Sequence, residues 1–139
     1  MSQASVKVDG EAIGEIGRGL LVLVAVHRDD TEQDVERLAE RLLGYRVFPD
    51  DAGRMNRSVR DIGGGLLLVP QFTLTADTKK GTRASFTKGA PPEMASDYFD
   101  RLVDRCRQGL EVVETGRFGA DMQVSLTNDG PVTFWLATR

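Results

Sequence analysis

Gly63-Gly64-Gly65-Leu66-Leu67-Leu68-Val69-Pro70-Gln71-Phe72-Thr73-Leu74 is the stretch from which the fold is read. Its apolar run, Leu66 to Val69, has the length of a strand and is bounded by glycines before and by Pro70 after. A reversal at the glycines predicts a hairpin over 59–74, with Leu66–Val69 as its second strand. Pro70-Gln71-Phe72-Thr73-Leu74 then brings polar groups to the end of that strand. Asn128-Asp129-Gly130-Pro131-Val132-Thr133 has the same character near the C-terminus. Proline can hold a cis peptide, and a preceding glycine has no Cβ to clash. The two segments together predict a pocket built from backbone more than from ionisable side chains.

Outward from this stretch, the chain divides into short strands and two helices. Val6 and Val8, the Asp9-Gly10 turn, then Ala12 and Ile13 predict a hairpin with a type I′ turn. Leu20 to Val26 is continuously apolar and reads as a central strand covered on both faces. Asp30, with Gln33 three residues on, predicts a helix start closed by a capping box. Val35, Leu38, Ala39, Leu42 and Leu43 form that helix's apolar stripe, and Gly44 ends it. Val47 and Phe48 begin a short strand into the Asp50–Gly53 turn. Residues 75–90 lack periodicity and form a long loop, a length usually tied to function. Pro91-Pro92-Glu93 opens the second helix. Its buried face is Met94, Ala95, Tyr98, Phe99, Leu102, Val103 and Cys106, and Gly109 stops it. Residues 112–138 read as further strands. No repeat or linker divides the chain, so residues 1–139 are one α+β domain, mainly antiparallel, with two helices.

Composition narrows the chemistry. With 139 residues the chain buries a real core, and 40% hydrophobic with 28% charged residues is the balance of a globular protein in water. A net charge of −3 argues against a generally basic nucleic-acid coat but leaves room for a local basic patch. A single cysteine excludes an intrachain disulfide, and no apolar run approaches the ~20 residues of a membrane span. No signal peptide is evident, and a cytoplasmic location is expected. The lone histidine, His27, excludes a histidine-rich zinc site, and the one cysteine adds little, so no metal cofactor of that kind is expected. Cys106 lies on an apolar stripe, the place of a core residue. No P-loop is present, and the glycines of Gly14–Gly19 have the wrong order for a dinucleotide loop.

Lys79, Lys80, Arg83 and Lys88 fall in a stretch with no acidic residue. They suit phosphate contacts, or equally a solvated loop. Thr73 has no evident general base, so a structural threonine is the plainer reading. Main-chain N–H groups at Phe72 and Thr73 can nevertheless hold a carbonyl or a developing oxyanion. Gly130-Pro131, judged by composition alone, reads as a turn.

Several segments then carry a resemblance: Gln71–Leu74, Ala76–Gly81, Ser85-Phe86, Gly116–Met122 and Asn128–Thr133, in this order. The chain resembles the D-aminoacyl-tRNA deacylases of the bacterial and eukaryotic type over nearly its whole length. The resemblance implies a barrel-like homodimer that hydrolyses the ester of D-aminoacyl-tRNA, and of glycine mischarged on tRNA such as tRNA-Ala. It implies a cis peptide at Gly130-Pro131, with Val132 and Thr133 beside it, entering the partner's pocket and excluding L side chains. Phe72 and Thr73 would supply main-chain donors, and Gln71 the pocket wall. Phe118, Gly119, Ala120 and Met122 would form the adenosine pocket, with Lys79, Lys80, Arg83 and Lys88 guiding the acceptor stem. The terminal 2′-hydroxyl would take part in catalysis, so RNA and not DNA is the expected partner.

Three departures from the resemblance stand out. Pro70 replaces the usual serine and removes a hydroxyl and an N–H. Ala84 stands where relatives often have proline. The family's first strand, with an arginine that braces the glycine-proline loop, has no counterpart ahead of Ser2–Val8. These departures keep two rivals in view. One is a non-catalytic dimeric module that binds the tRNA 3′ end, and the other a deacylase with a relaxed chiral filter.

Overall fold

The structure, a computed structural model, describes residues 1–138. Strands β1 (Gln3–Val8) and β2 (Glu11–Ile16) form the predicted hairpin. Asp9 and Gly10 both have positive φ, at 51° and 79°, as a type I′ turn requires. Strand β3 (Gly19–Val24) leads to helix α1 (Glu32–Gly44), followed by β4 (Phe48–Pro49), β5 (Met55–Arg57) and β6 (Gly65–Pro70). After the loop come helix α2 (Pro92–Gly109), β7 (Val113–Thr115) and β8 (Gln123–Thr127).

These elements make two antiparallel sheets, β2-β1-β8 and β4-β5, and one parallel sheet, β3-β6-β7. The antiparallel expectation therefore fails for the leucine-rich strands. Residues 59–74 are not a hairpin either. Ser58 and Asp61 exchange bonds, N to Oδ2 at 2.8 Å and N to Oγ at 3.1 Å, and turn the chain before β6 starts. The glycines then deliver β6 parallel to β3.

The central strand is β6, whereas the sequence placed Leu20–Val26 there. Leu66, Leu67 and Leu68 are fully buried, and β3 is an edge strand whose Leu23 is 43% exposed. Side chains of a strand alternate between faces. Leu66 and Leu68 accordingly join a core with Leu42, Phe99, Leu102 and Cys106 of the helices. Leu67 and Val69 pack against Ala4, Val6 and Ile16 of the hairpin. The result is three layers: antiparallel sheet, parallel sheet, helix pair. Burying each of these leucines contributes about 1.5–3 kcal/mol, and among the described residues β6 is the only strand to serve both layers through consecutive buried residues.

Helix α1 starts one residue later than its sequence signal. Thr31 is the cap, and Asp34 closes the box by accepting from the Thr31 N–H at 2.8 Å. The carboxylate of Asp30 instead accepts from the His27 N–H at 2.7 Å, which holds the preceding turn. Asp34→Ala is expected to cost about 1 kcal/mol, read as a lower denaturant midpoint with an unchanged slope. Gly44 is the last helical residue and Tyr45 the cap. Helix α2 has Pro92 at its first position, as predicted, and buries Phe99, Leu102, Val103 and Cys106. Ion pairs Arg101–Glu32 and Arg105–Glu36 link the helices on their exposed side, where such pairs contribute little. No strand forms beyond Thr127 among the described residues, so the predicted final strands over 128–138 are absent.

Candidate active site

The parallel sheet ends where the polar motifs begin. Gln71 N–H donates to the Val24 carbonyl at 2.7 Å, tying the exit of β6 to the end of β3. Phe72–Thr75 then form a short 3-10 turn in which the Thr75 hydroxyl donates to the Phe72 carbonyl. The main-chain N–H groups of Phe72 and Thr73 donate to nothing among the described residues, and both residues are exposed. They are thus free to bind an anionic or carbonyl oxygen.

Gln71 Nε2 donates to Thr73 Oγ1 at 2.6 Å. An amide donor cannot take a proton, so this bond orients the threonine hydroxyl without activating it as a nucleophile. The only histidine is also engaged locally, its Nδ1 accepting from the Asp29 N–H at 3.2 Å. Burial pushes the Cys106 thiol up to about 11, although nearby Arg105 opposes the shift. The thiol therefore stays protonated in the helix core, far from nucleophilic character.

The segment Gly116–Met122 closes over the end of β6. Gly116 N–H donates to the Leu68 carbonyl at 2.8 Å, and the Met122 sulfur accepts from Arg117 N–H at 3.3 Å. A Cβ on Gly116 would lie 2.7 Å from that sulfur and 3.5 Å from Pro70 Cδ. The Pro70 ring therefore packs against this loop. The structure thus places Gln71–Thr73 and the Phe118–Met122 loop at one end of the parallel sheet. Phe118 and Gly119 are exposed there, and Ala120 and Met122 are half-buried.

The basic loop is folded, not free. Asp77 and Ser85 exchange backbone bonds at 2.7 and 2.9 Å, and Lys88 pairs with Asp77 at 3.9 Å. Asp77 also accepts from the Lys79 N–H at 3.0 Å. Lys79, Lys80 and Arg83 sit at the exposed tip, without an ion pair among the described residues. Sequence reasoning missed Asp77 as the organiser because it flanks the acid-free stretch. It also assigned no role to Phe86, whose ring lies 5.3 Å from that of Phe72 at an interplanar angle of 58°. Phe86, the one aromatic residue between the basic residues Arg83 and Lys88 of this loop, was the available signal.

Gly130-Pro131 is a cis peptide, with Gly130 at φ 137°. Asn128 holds the turn: its Oδ1 accepts from Val132 N–H at 3.0 Å and its Nδ2 donates to Thr133 Oγ1 at 2.8 Å. Gly130, Pro131 and Thr133 are exposed and Val132 half-buried. Among the described residues, no hydrogen bond or ring contact joins this loop to Gln71–Thr73 of the same chain.

A protein-family profile described as D-Tyr-tRNA(Tyr) deacylase matches residues 1–137. The chain belongs to the D-aminoacyl-tRNA deacylase family. A curated D-aminoacyl-tRNA deacylase of Alkalilimnicola ehrlichii is 65% identical over 137 residues, covering 99% of this chain and 91% of the relative. One of Escherichia coli is 59% identical over 136 residues, covering 98% and 94%. Among solved structures, that of a c-Myc DNA Unwinding Element Binding Protein superposes with a TM-score of 0.89 at 38% identity, over 94% of this chain and 89% of that one. A probable eukaryotic D-amino acid tRNA deacylase shares the fold, with a TM-score of 0.76 at 18% identity, over 90% and 88%. The family's activity makes this chain a hydrolase acting on aminoacyl-tRNA. Among the described residues, no cluster of histidine, cysteine or carboxylate side chains is placed to hold a metal, and no helix is long and apolar enough to cross a membrane.

Proposed function

We propose that this deacylase cleaves the ester between a D-amino acid, or glycine, and the 3′ end of tRNA, and that it rejects L-aminoacyl esters by shape. The observation that carries this reading is the pair of unengaged N–H groups at Phe72 and Thr73, beside a hydroxyl that no base activates. In this reading the two donors hold the scissile carbonyl and the negative charge that develops on it. The attacking group comes from outside the protein side chains, with the terminal 2′-hydroxyl of the RNA assisting. DNA lacks that hydroxyl.

Chiral selection rests on the exposed Gly130-Pro131 loop, which enters the pocket of a second copy. There it occupies the space an L side chain would need, so discrimination comes from exclusion and not from affinity for any side chain. Its lack of contact with Gln71–Thr73 in its own chain supports action across a dimer. Phe118 to Met122 receive the adenosine, and Lys79, Lys80 and Arg83 receive acceptor-stem phosphates.

Two variants test these roles. Thr73→Ala keeps the N–H and loses the hydroxyl, so single-turnover hydrolysis is expected to stay within about tenfold of the parent; a nucleophile's removal would cost about 10⁴-fold or more. Replacing Lys79, Lys80 and Arg83 together by alanine is expected to raise KM and to flatten the salt dependence, by about 0.7–0.9 in log–log slope per lost phosphate contact. An unchanged slope would remove the loop from the RNA interface. The likeness to a DNA unwinding element binding protein makes DNA the rival ligand. Failure of duplex DNA to compete with the tRNA ester separates the two.

A further inference from the structure

The end of the parallel sheet is flanked on two sides. Strand β7 lies on one side of β6 and leads into the Phe118–Met122 loop, while β3 lies on the other and leads to His27 and Arg28. The basic loop returns to the β3 side. Ala90 N–H donates to the Val26 carbonyl and Arg28 N–H to the Lys88 carbonyl, both at 2.9 Å, and His27 bridges Gly89. Phe72 and Thr73 follow β6, so their N–H groups lie between the two flanks.

Phe86 stands on the β3 flank, in a turn closed by Gly89 N–H donating to its carbonyl at 3.3 Å. Gly89 also fits this turn against the one that carries Phe72. A Cβ there would lie 2.9 Å from Thr75 Oγ1, the hydroxyl that donates to the Phe72 carbonyl. The close approach brings the two rings together, yet neither is covered: Phe72 is 64% and Phe86 47% exposed. A tilted pair of this kind leaves ring faces open to a further stacking partner. The exposed tip of the same loop carries Lys79, Lys80 and Arg83. Open aromatic faces beside cations are what hold unpaired nucleotides, base on ring and phosphate on cation.

We infer that the Phe72–Phe86 ring pair is a stacking platform for the unpaired base that precedes the terminal adenosine of the tRNA. This rests on the proposed reading of the site, with the ester at the Phe72 and Thr73 N–H groups and the adenosine at Phe118–Met122. The terminal ribose then sits between the two flanks. Its base points to the β7 side, and its 5′-phosphate leads to the β3 side, where the rings and the cations are. Every base has a π-face, so the platform strengthens the hold on any tRNA tail without reading its sequence.

The test uses an uncharged, fluorescein-labelled RNA hairpin, an acceptor stem with its unpaired 3′ tail, so that hydrolysis does not enter the readout. Replacing the nucleotide before the terminal adenosine by an abasic one is expected to weaken binding to the parent protein about tenfold. Phe86→Leu keeps an apolar side chain and removes the flat ring. It is expected to weaken binding of the intact RNA by a similar factor, with the melting temperature within a few degrees of the parent, whereas Phe86→Trp retains binding. In Phe86→Leu the abasic RNA is expected to lose no more than about twofold further, because both changes remove one contact. Losses that multiply instead would place Phe86 away from that base and overturn the inference. So would abasic RNA that binds the parent as tightly as intact RNA, a result that requires no variant to fold. The same coupling in a protein that leaves D-aminoacyl esters intact would support the platform while removing the proposed reaction.

Discussion

Gly19→Ala is expected to lower the melting temperature by more than about 10 °C, or to leave no soluble folded protein. A Cβ at position 19 would lie 1.9 Å from the Gly65 carbonyl oxygen and 2.7 Å from the Gly65 nitrogen. Both are main-chain atoms at the first pair of the β3–β6 register, so no side-chain rotation relieves the clash. The strands would have to separate at Gly19, which loosens Leu66 and Leu68 from the helices and Leu67 from the hairpin. Losing even two of those burials costs about 3–6 kcal/mol, against a total stability of about 5–15 kcal/mol. For a chain of this size each kcal/mol shifts the melting temperature by about 2–4 °C or somewhat more. Gly53→Ala is the comparison. Nothing lies within 4 Å of its Cβ, its φ is 81°, and its turn is exposed, so the smaller cost of a left-handed alanine is expected there. Equal melting temperatures for the two variants would contradict the role given to the β3–β6 contact.

Gly130→Ala is expected to damage selectivity far more than stability. Gly130 holds φ 137°, a region L residues rarely adopt, and a Cβ there would approach Val132 Cγ2 to 2.9 Å. The loop is exposed and supports neither core, so it can relax by moving its carbonyl groups while the fold persists. On the proposed reading that movement opens the space meant to exclude an L side chain. The ratio of D- to L-ester hydrolysis is then expected to fall at least tenfold, or about 1.4 kcal/mol, with the melting temperature within a few degrees of the parent. Loss of folding with selectivity retained in the remaining soluble fraction would contradict this assignment.

What the sequence disclosed followed the range of each interaction. The first hairpin was legible because Asp9-Gly10 is a local signal, and helix α2 because Pro92 and a stripe ending at Cys106 act within one element. Strand pairing is not local. Leu20–Val26 and Leu66–Val69 have the same apolar character, and nothing within either says which lies between two neighbours. The start of α1 slipped by one residue because Asp30 and Thr31 both suit a cap. The structure resolves that choice by giving Asp30 to the His27 turn. In the site, the motif residues were visible through resemblance, but their physical condition was not. The unengaged N–H groups of Phe72 and Thr73 and the folding of the basic loop by Asp77 depend on three-dimensional placement. Of the strands expected over residues 112–138, β7 and β8 form, but among the described residues none lies beyond Thr127.

Hydrolysis of D-tyrosyl-tRNA beside L-tyrosyl-tRNA by the purified protein, with chelator present, tests the central claim most directly. The account predicts rapid loss of the D-ester alone, with the L-ester decaying at its spontaneous rate. Spontaneous decay of both esters, with tRNA still bound, would contradict it and leave a module that recognises the 3′ end without catalysis.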